Sequence, residues 1–251
     1  MRQSTCSPAV IVFLIAGLAI AVTMVACGGS VTPTPLTPTV PTITALPPLD
    51  EMLSEKTMGS AAAPNTIIEY VSFWSTQSKD FYLTGDGAQM KSQLADTGRA
   101  QILFRNLFLP AETQISGVPV AAMLARCVGN ARFFDAVNTI FQRQATWGAA
   151  SNPDAAVQQI MLGFGMSQST INACLADSAL LNGLAAIHTS AEQGTYQLPD
   201  LTQRTGSSAA GVIFSVPAVV VNGVLFDSTN TDGTSNAAFA PTFANIQPFL
   251  K

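Results

Sequence analysis

Residues 66–78 read TIIEYVSFWSTQS, and this stretch largely decides the fold. Its first part, 66–73, is rich in β-branched and aromatic side chains, which favour a buried strand. The next stretch, 78–95, is mostly polar with apolar residues near helical spacing, although two glycines weaken that helix. Residues 100–107 (AQILFRNL) have the composition of a second strand. Strand, helix and strand in this order predict a β-α-β unit.

The rest of the chain predicts a helical block followed by a hairpin. Apolar stripes with helical spacing occupy five segments, namely 121–127, 131–141, 155–164, 167–176 and 179–191. A polar, glycine-rich stretch at 193–211 indicates a long loop. Asn222-Gly223 between two apolar runs favours a tight β-hairpin over 218–226, and a final helix is expected over about 238–250. This order predicts an α/β protein with a thioredoxin fold and an inserted α-helical domain.

The N-terminus carries an export signal. Arg2 precedes an unbroken apolar run at 9–21, and residues 24–27 read MVAC, which is similar to a lipobox. We therefore expect a signal peptide over 1–26, acylation at Cys27 and a lipid-anchored, periplasm-facing place in the cell envelope. The Pro/Thr-rich residues 27–50 should form an extended tether. An uncleaved membrane anchor is the alternative, for which the apolar run is marginal against the ~20 residues needed.

Two cysteines remain after export. Cys6 leaves with the signal peptide and Cys27 takes the lipid, so Cys127 and Cys174 stay in the folded part. An oxidising compartment favours a disulfide between them, with two separately buried thiols as the alternative. Because they cannot form a C-x-x-C motif, we expect both to be structural.

Charge and histidine content exclude several functions. The net charge is −4 and only 10% of residues are charged, so no basic stripe exists to bind nucleic acid. The single histidine, His188, falls in the helical block, and carboxylates are not clustered. We therefore expect no metal site, no cofactor and no base that could activate a serine nucleophile.

Five segments, in order, resemble the DsbA family of periplasmic disulfide oxidoreductases. They are residues 69–78, 96–105, 122–134 (AMLARCVGNARFF), 173–177 and 216–223. The resemblance covers about 57–251 and implies a thioredoxin-like domain at 51–112 and 211–251, with a helical insertion at 113–210. In that family a Glu-aromatic strand runs into C-P-H-C at a helix N-terminus, and Val216-Pro217 is similar to its cis-proline segment.

The chain departs from the family where the chemistry takes place. Ser75 and Ser78 stand at the positions of the two redox cysteines, and Thr76 and Gln77 replace the dipeptide between them. Disulfide exchange needs a thiolate to attack and a second sulfur to resolve the mixed disulfide. We therefore predict a redox-inactive site. Glu69 matches the family's proton-transferring acid, and here we expect a relic carboxylate facing the core side of its strand.

A binding function does not need the cysteines. In the family, the backbone before the cis-proline pairs with an extended peptide by strand addition. We predict that Trp74, Val216 and Pro217 bind an envelope peptide or protein, with Phe73 adding apolar surface. We also expect exposed Lys79 to matter little for that binding.

A glutathione-binding enzyme is the alternative, because the site also resembles kappa-class glutathione transferases. There a serine at the helix N-terminus stabilises a bound thiolate, as Ser75 could. The Pro-Tyr that typically follows in those enzymes is absent from this chain.

Overall fold

The computed structural model of the chain describes residues 42–107, 115–192, 213, 215–228, 235 and 237–251. The predicted signal peptide, Cys27 and most of the predicted tether lie outside these residues. So does the predicted loop at 193–211.

A five-stranded mixed sheet contains both strands predicted from the sequence, at 66–73 and at 100–107. The strands are β1 Lys56–Gly59, β2 Asn65–Val71, β3 Ala100–Asn106, β4 Ala218–Val221 and β5 Val224–Phe226. Their order is β1-β3-β2-β4-β5, with β2 and β3 parallel and the other neighbours antiparallel. The predicted hairpin is confirmed, since Asn222 and Gly223 both adopt positive φ between β4 and β5. The sequence pattern does not predict β1, which has only four residues.

Strand β2 is buried on both faces, as a central strand should be. Ile67 and Val71 pack in the main core with the helices, whereas Ile68 and Tyr70 belong to a second apolar cluster. Side chains alternate along a strand, so Glu69 lies on the same face as Ile67 and Val71. This is the orientation expected for Glu69.

The segment before β1 is fastened to the rest of the domain. The Ile43 N–H donates to the Gly165 carbonyl (2.7 Å), and the Ser167 N–H donates to the Ile43 carbonyl (2.9 Å). A short helix, α1 (Leu49–Leu53), follows, and the Arg126 guanidinium donates to the Met52 carbonyl near its end (2.7 Å). The last residues of the stretch predicted as a tether are therefore part of the folded domain.

The connection from β2 to β3 consists of two helices and a π-helical turn. These are α2 (Thr76–Leu83), α3 (Asp86–Met90) and the turn Lys91–Ala95. The single helix predicted over 78–95 is therefore interrupted. At Gly87 a side chain would approach the Phe81 ring to 2.5 Å, so close packing at the break requires glycine.

The described residues between β3 and β4 form six α-helices. They are α4 Val118–Cys127, α5 Phe133–Gln142, α6 Gln144–Gly148, α7 Pro153–Phe164, α8 Gln168–Leu175 and α9 Ser178–Glu192. Five of them correspond to the predicted apolar stripes, and α6 is additional. Cys127 of α4 and Cys174 of α8, 47 positions apart, form the expected disulfide. Across the described chain no single helix meets the length and apolarity of a membrane span; the bent pair α8–α9 meets them jointly.

The predicted C-terminal helix over 238–250 is wrong. Residues Ala237–Phe239 and Gln247–Phe249 form 3₁₀ turns, and only α10, Phe243–Ile246, is α-helical. Pro241 and Pro248 explain the difference, because a proline inside a helix removes a backbone donor and clashes with the preceding turn. Thr242 instead caps α10, accepting a hydrogen bond from the Asn245 N–H.

Candidate functional site

An open groove of about 810 Å³ lies at the start of α2, next to the loop before β4. Its described lining comes from the start of α2, from the stretch 144–149 and from the C-terminal part of the chain. These residues are Trp74, Ser75, Thr76, Gln77 and Lys79; Gln144, Ala145, Gly148 and Ala149; and Ser215, Val216, Pro217, Ser228 and Pro241. The structure therefore brings together six of the predicted site residues, Trp74 to Gln77 with Val216 and Pro217.

The Ser75 hydroxyl holds the start of α2. Its oxygen accepts a hydrogen bond from the Ser78 N–H (3.1 Å), which makes Ser75 the N-cap of the helix. The same hydroxyl lies within donating distance of the Val216 carbonyl (3.5 Å) and of Gln77 Oε1 (3.3 Å). Because the hydroxyl has one proton, it can donate to only one of these oxygens at a time.

Ser78 lies beneath the groove and is fully buried. Its hydroxyl oxygen accepts a hydrogen bond from the Ser72 N–H (3.2 Å), and the Ser72 hydroxyl accepts one from the Trp74 N–H (3.1 Å). Both serines at the cysteine positions therefore satisfy backbone donors around the turn from β2 to α2. Thr76 and Gln77 are exposed, and the Thr76 hydroxyl donates to Gln77 Oε1 (3.2 Å).

The opposite wall is the loop before β4. The Val216–Pro217 peptide bond is cis, as the resemblance implies. The hydroxyl of Ser215 donates to the carboxylate of Asp227, and so does its N–H (3.3 Å). Asp227 is fully buried, so this carboxylate fixes the loop from below. Sequence reasoning did not identify Asp227, which has no motif of its own.

Trp74 provides the apolar surface of the groove. Its side chain is 36% exposed and lies on the buried ring of Trp147, with ring centroids 5.9 Å apart. A side chain at Gly148 would approach the Trp74 ring to 3.4 Å. The expectation that Phe73 adds to this surface is wrong. Phe73 is 1% exposed and packs in the core against Phe141.

Gln144 connects the helical insertion to the groove. Its amide nitrogen donates to the Phe73 carbonyl (2.7 Å) and to the Ser75 carbonyl (3.0 Å). This buried side chain thus holds the segment that carries Trp74 and Ser75. A glutamine between helices gives no sequence signal of such a role, because the contact depends on how the insertion packs.

Glu69 is a buried acid on the core side of β2. It is 1% exposed, and its Oε1 has no hydrogen-bond partner among the described residues. Burial raises the pKa of Glu69 from 4.5 to about 8, because the charged form is poorly solvated there. The carboxyl is therefore mostly neutral at pH 7.

Other reactive groups do not face the groove. Cys127 and Cys174 are buried and paired with each other in the insertion. His188 is buried on α9 and is not among the groove-lining residues. Within the described ranges, His, Cys, Asp and Glu side chains form no cluster that could hold a metal ion.

Fold and site together define a class. A thioredoxin fold carries a helical insertion between β3 and β4, and Ser75 and Ser78, the serines at the predicted cysteine positions, lie at and beneath the groove. The chain belongs to the thioredoxin family, whose pattern it matches over residues 52–238.

Solved structures with the same DsbA-like fold support this assignment. α-DsbA1 of Wolbachia pipientis shares 19% identity over 67% of this chain and 74% of its own, with a TM-score of 0.53. A protein-disulfide isomerase of Novosphingobium aromaticivorans shares 20% identity over 78% and 94%, with a TM-score of 0.54. Chlamydia trachomatis DsbA shares 15% over 70% and 86%, with a TM-score of 0.53. Among curated proteins, no sequence matches the chain.

Proposed function

We propose that this protein is a redox-inactive module that binds an extended segment of a peptide or protein in the cell envelope. The observation that carries the proposal is the open groove between Trp74 and the Val216–Pro217 loop, with no cysteine in its described lining. Its walls correspond to the substrate-binding surface that the resemblance implies.

The two serines support the absence of redox chemistry. A hydroxyl cannot form a disulfide, and both hydroxyls already hold the backbone around the start of α2. The only disulfide among the described residues, Cys127–Cys174, lies buried between insertion helices. We therefore expect no oxidation or reduction of thiols at this site.

Binding by strand addition would use the backbone beside Val216. Among the described residues, the Val216 carbonyl meets only the marginal Ser75 hydroxyl contact at 3.5 Å, so an incoming backbone N–H can replace it at small cost. Trp74 offers a broad, rigid face for one apolar side chain of the ligand, and its tilted contact with the Trp147 ring fixes its position. Main-chain pairing would then supply affinity, and the Trp74 face a preference for apolar residues.

Binding can be tested with an unbiased library of extended peptides and titration calorimetry of the selected sequences. Trp74→Ala should weaken binding about tenfold or more, since losing an aromatic anchor costs over 1 kcal/mol in typical interfaces. Leu181→Ala is the matched control, because Leu181 is also a large exposed apolar side chain (42%) but lies on α9, outside the groove lining. Equal affinity of the Trp74→Ala variant and the parent would contradict the proposed site.

A glutathione-binding enzyme is the second candidate, because the Ser75 hydroxyl borders the groove at a helix start. The results expected for a glutathione-binding enzyme differ from those expected for a peptide-binding module. Glutathione would raise the melting temperature, Ser75→Ala would abolish that effect, and library peptides would not bind. That combination would replace the peptide-binding proposal.

We also propose that the chain is exported and anchored through Cys27. The MVAC segment and the Pro/Thr-rich stretch after it support this. Mass spectrometry of the mature protein from envelope fractions should find a diacylated or triacylated cysteine at its N-terminus. An intact N-terminus beginning at Met1 would contradict it.

A further inference from the structure

The described wall of the groove presents one charged side chain, that of Lys79. The other described lining residues are uncharged: hydroxyls, amides, prolines, small apolar residues and Trp74. Lys79, which we expected to matter little for binding, therefore lines the groove. It follows Ser75 by one turn of α2, where its N–H donates to the Ser75 carbonyl (3.1 Å).

No neighbouring carboxylate among the described residues holds Lys79 firmly enough to keep it from a ligand. Its ammonium is 3.1 Å from the Asp80 carboxylate, but the Asp80 side chain is 69% exposed. Exposed pairs of this kind contribute little, so Lys79 can exchange Asp80 for a ligand carboxylate at small cost. Asp227 is fully buried beneath Ser215 and does not line the groove.

Lys79 and the aromatic surface of Trp74 line the same groove, within the reach of one short extended segment. Lys79 lies about one helical turn, roughly 5.4 Å along the axis, from Ser75, which borders Trp74. Residues i and i+2 of an extended strand lie on the same side, about 6.6–6.8 Å apart. A ligand with an apolar residue on Trp74 can therefore place a side chain two positions away near Lys79.

We propose that the groove selects extended peptides in which an acidic residue lies two positions from an apolar residue. Charge complementarity carries this inference, since the described wall offers a cation and no carboxylate. The inference rests on the proposed function and names the class of peptide that the same site takes.

The test uses the full mature protein and three end-blocked, fluorescently labelled peptides, identical except for the centre, which is Leu-Ala-Glu, Leu-Ala-Gln or Leu-Ala-Lys. Fluorescence anisotropy should show the Glu peptide binding about three- to fivefold more tightly than the Gln peptide, with the Lys peptide weakest. High salt should reduce this preference, because an exposed ion pair is screened.

Charge reversal then identifies the residue responsible. Lys79→Glu should invert the order of the Glu and Lys peptides. Lys91→Glu is the control, because Lys91 is also a surface lysine paired with an aspartate but lies outside the groove lining. An unchanged order in Lys79→Glu overturns the inference.

The failure of this inference and the failure of the proposed function give different results. If all three peptides bind equally and Trp74→Ala abolishes that binding, the groove binds peptides without the acidic preference, and only the inference is overturned. If none of the peptides binds and library peptides also fail, the proposed function is overturned. If free glutathione displaces the Glu peptide from the parent but not from Ser75→Ala, the acidic ligand is glutathione, and this overturns the peptide assignment.

Discussion

The Ser75 hydroxyl lies 3.5 Å from the Val216 carbonyl oxygen, and this contact joins the first turn of α2 to the loop before β4. On the resemblance drawn from the sequence, Ser75 stands at the position of the first redox cysteine of the DsbA family. Here a hydroxyl lies between the two walls of the groove and caps the helix as well. At this site polar side chains therefore support the backbone.

The first prediction concerns the stability contributed by the two serines. Ser75→Ala removes the α2 N-cap and should lower the free energy of unfolding by about 0.5–2 kcal/mol. Ser78→Ala should cost about 1–3 kcal/mol, because it leaves the buried Ser72 N–H without that acceptor. Urea denaturation measures both. Ser92→Ala, at an exposed serine, is the control, and parent-like stability of both site variants would contradict the assigned hydrogen bonds.

Restoring the cysteines should restore redox chemistry. In a Ser75→Cys/Ser78→Cys variant the first sulfur would take the N-cap position, where the helix N-terminus favours a thiolate. We expect a thiol pKa below the ordinary value of about 8.5, measured by thiolate absorbance, together with insulin reduction. The single Ser75→Cys variant serves as the control without a resolving sulfur. A folded double variant that stays a dithiol in oxidant would show that the site geometry no longer suits exchange.

The free energy of unfolding should fall as the pH rises, because Glu69 is a buried acid. The pKa of Glu69 is about 8 in the folded chain and 4.5 ordinarily. The stability that the protonated carboxyl contributes is therefore fully present below about pH 4.5. It is lost as the pH rises towards 8, because the unfolded state ionises first. Glu69→Gln should therefore be more stable than the parent at pH 8, by a few kcal/mol at most. The two proteins should differ much less at pH 4.

The measurement is the free energy of unfolding of both proteins across pH 4–8. Asp50→Asn is the matched control, since Asp50 is an exposed acid on α1. Parallel pH profiles for the parent and Glu69→Gln would mean that the buried carboxyl is stabilised in its charged form.

Removal of the disulfide should destabilise the domain without altering the groove. On the chain-entropy relation, a bridge between positions 47 apart contributes about 4 kcal/mol. A Cys127→Ala/Cys174→Ala variant should lose about that much free energy of unfolding and still bind the same peptides. Reducing agent should lower the free energy of unfolding of the parent but leave that of the variant unchanged. Two freely alkylated thiols in the native parent would rule out the bridge.

The sequence predicts the parts of the fold that rest on local patterns. β2 and β3 are runs of apolar and β-branched residues, and the Asn222-Gly223 turn needs positive φ, so composition and turn chemistry suffice for them. The groove residues from Trp74 to Gln77 follow from their place after β2. The predicted C-terminal helix is wrong because the prediction gave more weight to apolar spacing than to Pro241 and Pro248.

The remaining parts depend on tertiary packing, which a single sequence does not encode visibly. Gln144 meets the Phe73 and Ser75 carbonyls only because α6 packs beside them. Asp227 reaches Ser215 only after the hairpin has formed. Lys79 resembles an ordinary exposed lysine in the sequence, and its position on the groove wall depends on the loop opposite.

The attachment of Ile43 determines how the domain would respond to a pull on its N-terminal segment. Two backbone hydrogen bonds fasten Ile43 at the junction of α7 and α8, next to the helix that the disulfide joins to α4. The other end of α7, about 18 Å away for its 12 residues, begins at Pro153, which lies with Trp147 beside Gly117. Tension applied at Ile43 would thus load the cross-linked helices first. None of the described groove-lining residues comes from the Ile43 segment, α7 or α8, so the load would enter the domain away from the groove.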